Sequence, residues 1–124
     1  RRGCGKRVGW RLAETRSIFQ SMDESDAAAK LAALGHEARL KLFRLLVRAG
    51  PEGLNVGDMQ RLLGIAPSTL AHHLGALVAA GLVRQERRGR ETLNRADFAA
   101  MRALLAAVEA KCCAGVAGAA DDAA

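Results

Sequence analysis

Val56-Gly57-Asp58-Met59-Gln60-Arg61-Leu62-Leu63, then Gly64-Ile65-Ala66, then Pro67-Ser68-Thr69-Leu70-Ala71-His72-His73-Leu74 is the stretch on which the fold turns. The first eight residues read as a short helix closed by Gly64, because glycine is the residue that best ends a helix in the left-handed conformation. Pro67 suits the first turn of the next helix, where its missing N–H costs nothing. That helix runs through Leu70, Leu74, Leu77 and Val78 to a stop at Gly81. Two helices joined by so short a turn form a helix-turn-helix pattern.

On the C-terminal side, Leu82-Val83-Arg84-Gln85-Glu86-Arg87 predicts a strand and Arg88-Gly89-Arg90 a tight turn. Glu91-Thr92-Leu93-Asn94 predicts the return strand, so a two-stranded hairpin covers about 83–95. A last helix is expected from Asp97 to about Cys113, with Phe98, Met101, Leu104, Leu105 and Val108 on a background of alanine. On the N-terminal side, Leu31, Leu34, Leu42, Leu45 and Leu46 recur at helical spacing, broken by Gly35-His36 into two helices. The first begins after Met22-Asp23-Glu24-Ser25-Asp26, whose acids favour a helix N-terminus. Gly50-Pro51-Glu52-Gly53 predicts a turn. The fold class is therefore mainly α with a small β-hairpin wing: a winged helix-turn-helix, expected as a homodimer through the alanine-rich last helix and the helix near 24–34.

The chain has 124 residues and a formal charge of +6, but the charge is unevenly spread. Residues 1–21 carry six Arg/Lys against Glu14 alone, whereas residues 22–124 carry 13 against 12 acids. The basic balance thus belongs mostly to residues 1–21, a basic extension with two readings: non-native or disordered upstream sequence, or a real arm that folds over the dimer. The domain proper is expected over 22–113, followed by a disordered Ala/Gly/Asp tail over 114–124. Within the domain the basic charge gathers on the hairpin, where Arg84, Arg87, Arg88, Arg90 and Arg95 face only Glu86 and Glu91.

That placement suggests double-stranded DNA as partner. Ser68 and Thr69, small hydroxylated residues at the start of the second helix, let its backbone approach phosphates or base edges. His72 and His73 follow one turn later. Arg84, Arg87, Arg88 and Arg90 on the wing suit contacts to the DNA backbone or minor groove beside the reading helix. His72 and His73 are adjacent, so at most one of them can face a core.

Leu31-Ala32-Ala33-Leu34-Gly35-His36-Glu37-Ala38-Arg39-Leu40, Pro67-Ser68-Thr69-Leu70-Ala71-His72-His73-Leu74 and Ala80-Gly81-Leu82-Val83 together resemble the ArsR/SmtB family of winged-helix repressors. The resemblance covers about residues 23–113. It implies a homodimer that binds a palindromic operator and leaves it when a metal or metalloid binds. It also implies that Ser68, Thr69, His72 and the wing arginines touch DNA. Ala71 departs from the family pattern, since many members have serine there.

The family's effector sites can be compared with this chain. The arsenical site ahead of the reading helix needs a Cys-Val-Cys pattern, and Asn55-Val56-Gly57-Asp58 lacks it. The zinc site across the last helices needs Asp-x-His and a second histidine, and Asp97 is followed by Ala99 instead. Cys112 and Cys113 remain, and they resemble the Cys-Cys pair that some members place at the end of the last helix for arsenicals. Thiolates select soft ions and thiophilic metalloids. Neighbouring side chains on a helix point about 100° apart, so one ion can take both only where the helix relaxes. Three thiolates hold trivalent arsenic or antimony, and two suffice for a methyl arsenical. Cys4 is the only other thiol and thus the candidate third ligand.

Trivalent arsenic or antimony is therefore the expected inducer, with no obligatory cofactor. The alternatives are a thiol redox or persulfide sensor of the same fold, a sensor of cadmium, lead or mercury, or a ligand-free architectural DNA-binding protein. An enzyme is not expected: no Cys-x-x-Cys, Cys-x5-Arg or Gly-rich phosphate loop is present. Three cysteines, two of them adjacent, make no disulfide framework and suggest a reducing compartment. No window approaches the roughly 18 apolar residues of a membrane span, so a cytoplasmic, membrane-free protein is expected.

Overall fold

The computed structural model describes residues 22–116. The expectations for residues 1–21, Cys4 among them, and for residues 117–124 lie outside the described residues. Five helices and three short strands follow in the order α1 (Glu24–Leu34), α2 (Glu37–Ala49), β1 (Leu54–Asn55), α3 (Val56–Leu63), α4 (Pro67–Ala79), β2 (Val83–Arg88), β3 (Glu91–Ala96) and α5 (Phe98–Glu109). A 3-10 turn at Gly50–Glu52 joins α2 to β1.

Side-chain caps set most of the helix starts. Asp23, His36, Asn55 and Asp97 each accept a hydrogen bond from a backbone N–H in the first turn of the helix that follows. Such caps stabilise a helix by about 1 kcal/mol each. Gly64 closes α3 at φ 65°, in the left-handed region expected of it. The bend between α3 and α4 is 112°, inside the range of about 90–120° that defines a helix-turn-helix.

The core is aliphatic. Leu42, Leu46, Met59, Leu70, Leu77 and Leu82 are fully buried, joined by Phe43, Leu74, Val83 and Ala96. They come from α2, α3, α4 and the sheet with the turn before it, so α4 is held by its Leu70/Leu74/Leu77 stripe. Truncating any of these leucines to alanine costs about 2–5 kcal/mol. No single helix among the described residues is long and apolar enough to cross a membrane.

Three expectations are corrected. The wing sheet has three strands, in the order β1-β3-β2, because Leu54 and Asn55 pair antiparallel with Asn94 and Leu93. Two residues are too few to show a strand period, so β1 was invisible in the sequence. The last helix ends at Glu109 and does not reach Cys113; Ala110 turns to extended backbone, and Lys111 and Cys113 adopt φ of 59° and 64°. Leu104, expected at the dimer interface, is 2% exposed within the single chain, while Leu105 and Val108 remain 54% and 63% exposed.

Candidate nucleic-acid interface and effector site

The exposed face of α4 is made of small and polar residues. Ser68, Thr69, Ala71, His72 and Gly75 are all exposed, at the three- and four-residue steps of a single helix face. No side chain caps the start of α4, because Ala66 occupies the N-cap position. The first N–H groups of this helix therefore point outward without a capping oxygen, as an anion such as a DNA phosphate requires.

His73 is corrected as a DNA contact. Its side chain turns to the opposite face of α4, where it is 7% exposed, and its ring lies 4.8 Å from that of His36. A ring enclosed there cannot reach a groove. Burial lowers its pKa below the ordinary 6.5, and His36, Arg39 and His72 add to the effect. His72, by contrast, stays exposed on the outward face.

The wing presents its arginines to solvent. Its two-residue loop has Gly89 at φ 63°, the conformation that lets the strands reverse tightly. Arg84, Arg87, Arg88 and Arg90 are all exposed. Glu86 accepts from both Arg88 (3.3 Å) and Arg95 (2.6 Å), and Arg84 lies 3.7 Å from Asp97. Arg87 donates to the Gly89 carbonyl at 3.3 Å. Arg90, at the tip, has no ion-pair partner among the described residues. Exposed pairs of this kind are worth at most about 1 kcal/mol, so they leave the arginines able to exchange partners for phosphates.

Sequence reasoning missed the residues that anchor the wing. Asn94 is fully buried; its Nδ2 donates to the carbonyls of Leu54 and Thr92, and its Oδ1 accepts from Gln85. Gly53 runs so close to β3 that a Cβ there would lie 2.5 Å from the Asn94 carbonyl oxygen. Asn55 caps α3 and also donates to Glu91 at 2.8 Å. The cap was legible as an asparagine ahead of an apolar run; the buried role of Asn94 had no local signal.

Cys112 and Cys113 are exposed, and their sulfurs lie 3.4 Å apart. That separation exists because the residues sit past the end of α5, where the 100° spacing of helical neighbours no longer applies. Two non-glycine residues in the left-handed region cost about 1–2 kcal/mol each, so the conformation is not the one the local chain would choose alone. Cys112 carries a thiol, whereas Cys113 is disulfide-bonded. With Cys113 reduced, the two sulfurs are soft donors close enough to share one ion. Among the described residues no group of three or more His, Cys, Asp or Glu gathers as a metal cluster. A three-coordinate ion would therefore need a further ligand from elsewhere.

Residues 34–86 match a helix-turn-helix domain family. The chain is similar to a protein of Halobacterium salinarum named as an arsenical resistance operon repressor, ArsR, at 36% identity, with 78% of this chain and 81% of the relative covered. Among solved structures it is similar to an ArsR-like transcriptional regulator from Rhodococcus, with 28% identity, a TM-score of 0.62, and 80% and 85% of the two chains covered. A homodimeric winged helix-turn-helix DNA-binding domain from Mycobacterium bovis shares the fold, with a TM-score of 0.55, 24% identity, and 85% and 92% covered. The helix-turn-helix with its basic wing and the similarity to the Halobacterium protein lead to one conclusion: the chain belongs to the ArsR family of DNA-binding, winged-helix transcriptional regulators.

Proposed function

We propose that the protein is a repressor that binds operator DNA as a homodimer and releases it when trivalent arsenic or antimony binds Cys112 and Cys113. The observation that carries this reading is the pair of sulfurs 3.4 Å apart at the end of α5. The Halobacterium relative's name supports the arsenical assignment, and the homodimeric Mycobacterium domain supports the assembly. In this reading Ser68, Thr69 and His72 meet the major groove, while Arg84, Arg87, Arg88 and Arg90 hold the flanking backbone.

With Cys113 reduced from the disulfide it makes here, the two thiolates supply the soft donors; Cys4, or a group of the second subunit, supplies the third. Leu105 and Val108 on α5 and Leu31 on α1 are exposed, on two helices that pack against each other. A second copy covers this apolar surface, which places the cysteine pair beside the subunit interface. Binding there lowers operator affinity by the difference in affinity of the ion for the two arrangements of the dimer. A hundredfold release needs about 2.7 kcal/mol of coupling.

The test is fluorescence anisotropy on a duplex that the protein selects from a random pool, titrated with arsenite, methylarsenite, antimonite, cadmium and zinc. Trivalent arsenicals are expected to release the DNA and zinc is not. Cys112→Ser is expected to abolish the response with DNA binding intact. A chain beginning at Met22 that kept its arsenite response would remove Cys4 from the site. A normal response in the Cys112→Ser, Cys113→Ser double variant would overturn the effector assignment.

A further inference from the structure

Glu91 stands among arginines yet bonds to none of them. It is paired in register with Arg88 and follows Arg90 directly. Its carboxylate instead accepts a 2.8 Å hydrogen bond from Nδ2 of Asn55, 36 residues away. The other oxygen-bearing end of that amide is engaged too: Oδ1 of Asn55 accepts from the Asp58 N–H, in the first turn of α3. One side chain thus ties the start of the helix-turn-helix to the tip of the wing.

The geometry explains why a tie matters at this point. The third strand ends at Asn55 opposite Leu93. Beyond Leu93 the hairpin continues to Arg87 and Thr92, Arg88 and Glu91, as an isolated two-stranded ribbon. Such a ribbon is only marginally ordered and twists freely. Glu91 lies two residues beyond Leu93 and on the same face of β3, so the Asn55 bond extends the anchoring of the sheet past the end of β1. Closer to the domain, the buried Asn94 fixes the base of the wing.

We propose that Asn55 and Glu91 form a clasp that aims the wing arginines at DNA, with Glu91 a positioning residue whose negative charge is tolerated for its hydrogen bond. The proposal rests on the reading that the wing touches DNA. It predicts that two variants losing the same charge diverge, which plain electrostatics does not. Removing an acid beside a polyanion ordinarily tightens binding. Glu91→Gln removes the charge and keeps an acceptor for Asn55, so it is expected to bind a labelled mixed-sequence duplex about two- to threefold more tightly. Glu91→Ala removes the same charge but opens the clasp, and is expected to bind about three- to tenfold more weakly than Glu91→Gln, the range of one lost hydrogen bond.

Asn55→Asp keeps the helix cap, since aspartate caps as well as asparagine, but sets two carboxylates against each other. It is expected to weaken DNA binding far more than it lowers the unfolding midpoint, because the bond lies on the exposed wing and outside the core, a separation that a purely structural role would not give. Combining Asn55→Asp with Glu91→Gln restores both the wild-type charge and a hydrogen bond of reversed direction, and is expected to restore affinity. Equal binding by Glu91→Ala and Glu91→Gln, or failure of the combined variant to recover, would overturn the clasp. If Arg88→Ala with Arg90→Ala also left affinity unaltered, the wing-contact reading itself would fall. A loss in that arginine variant alongside equal Glu91 variants would overturn the clasp only.

Discussion

At the scale of single residues, the two adjacent histidines of α4 divide their work by face. His72 looks out beside Ser68 and Thr69, while His73 packs inward against His36. Burial, then His36, Arg39 and His72, lower the His73 pKa, so the folded protein favours the neutral ring. The unfolded chain protonates this group near the ordinary 6.5, so it binds the proton more readily than the folded state does. The contribution of His73 to stability is therefore complete above about pH 6.5 and is lost as pH falls toward the lower folded value. Urea unfolding midpoints measured from pH 8 to pH 5 are expected to fall on the acid side, and His73→Leu is expected to flatten part of that limb. An unaltered acid limb in the variant would show that other groups carry it.

At the scale of elements, DNA recognition in the proposed function is divided between α4 and the wing. Replacing Arg88 and Arg90 by alanine is expected to weaken binding to all sequences alike. It is also expected to reduce the slope of log affinity against log salt by about 2, one unit for each phosphate that an arginine no longer neutralises. Thr69→Ala or His72→Ala is expected to alter preference among operator sequences more than affinity for random DNA. Both comparisons are read by anisotropy at several salt concentrations. The same loss on random DNA in both sets of variants would show that α4 is not the reading helix. The two elements were legible in the sequence to different depths. The bounds of α3 and the start of α4 followed from Gly64 and Pro67, whose backbone constraints are local. The third strand did not, because its two residues are recruited by β3 and carry no pattern of their own.

At the scale of the whole molecule, the apolar residues left outside the core point to a second subunit. Leu31, Leu105 and Val108 are each about half exposed or more, and burying such side chains is worth about 1.5–3 kcal/mol apiece. Leu105→Asp with Val108→Asp is expected to give a monomer in light scattering at micromolar concentration, with the fold retained by circular dichroism. Leu104→Asp is expected to unfold the chain instead, because Leu104 belongs to the protomer's own core. A dimer persisting in the first variant would move the interface away from α5.

The sequence by itself determined the order of the helices, the helix-turn-helix, the basic hairpin and the adjacent thiols. Each of these depends on residues close together in the chain: caps, glycine and proline constraints, and apolar spacing. Tertiary structure alone decided which face of α4 each histidine takes, and that Leu104 belongs to the core while Leu105 does not. It also joined Asn55 to Glu91 and buried Asn94 against Leu54. Those outcomes depend on which surfaces meet after the chain has folded. A residue's own spacing places it on a helix face or a strand edge, but its partner comes from a segment tens of residues away, and only packing brings the two together.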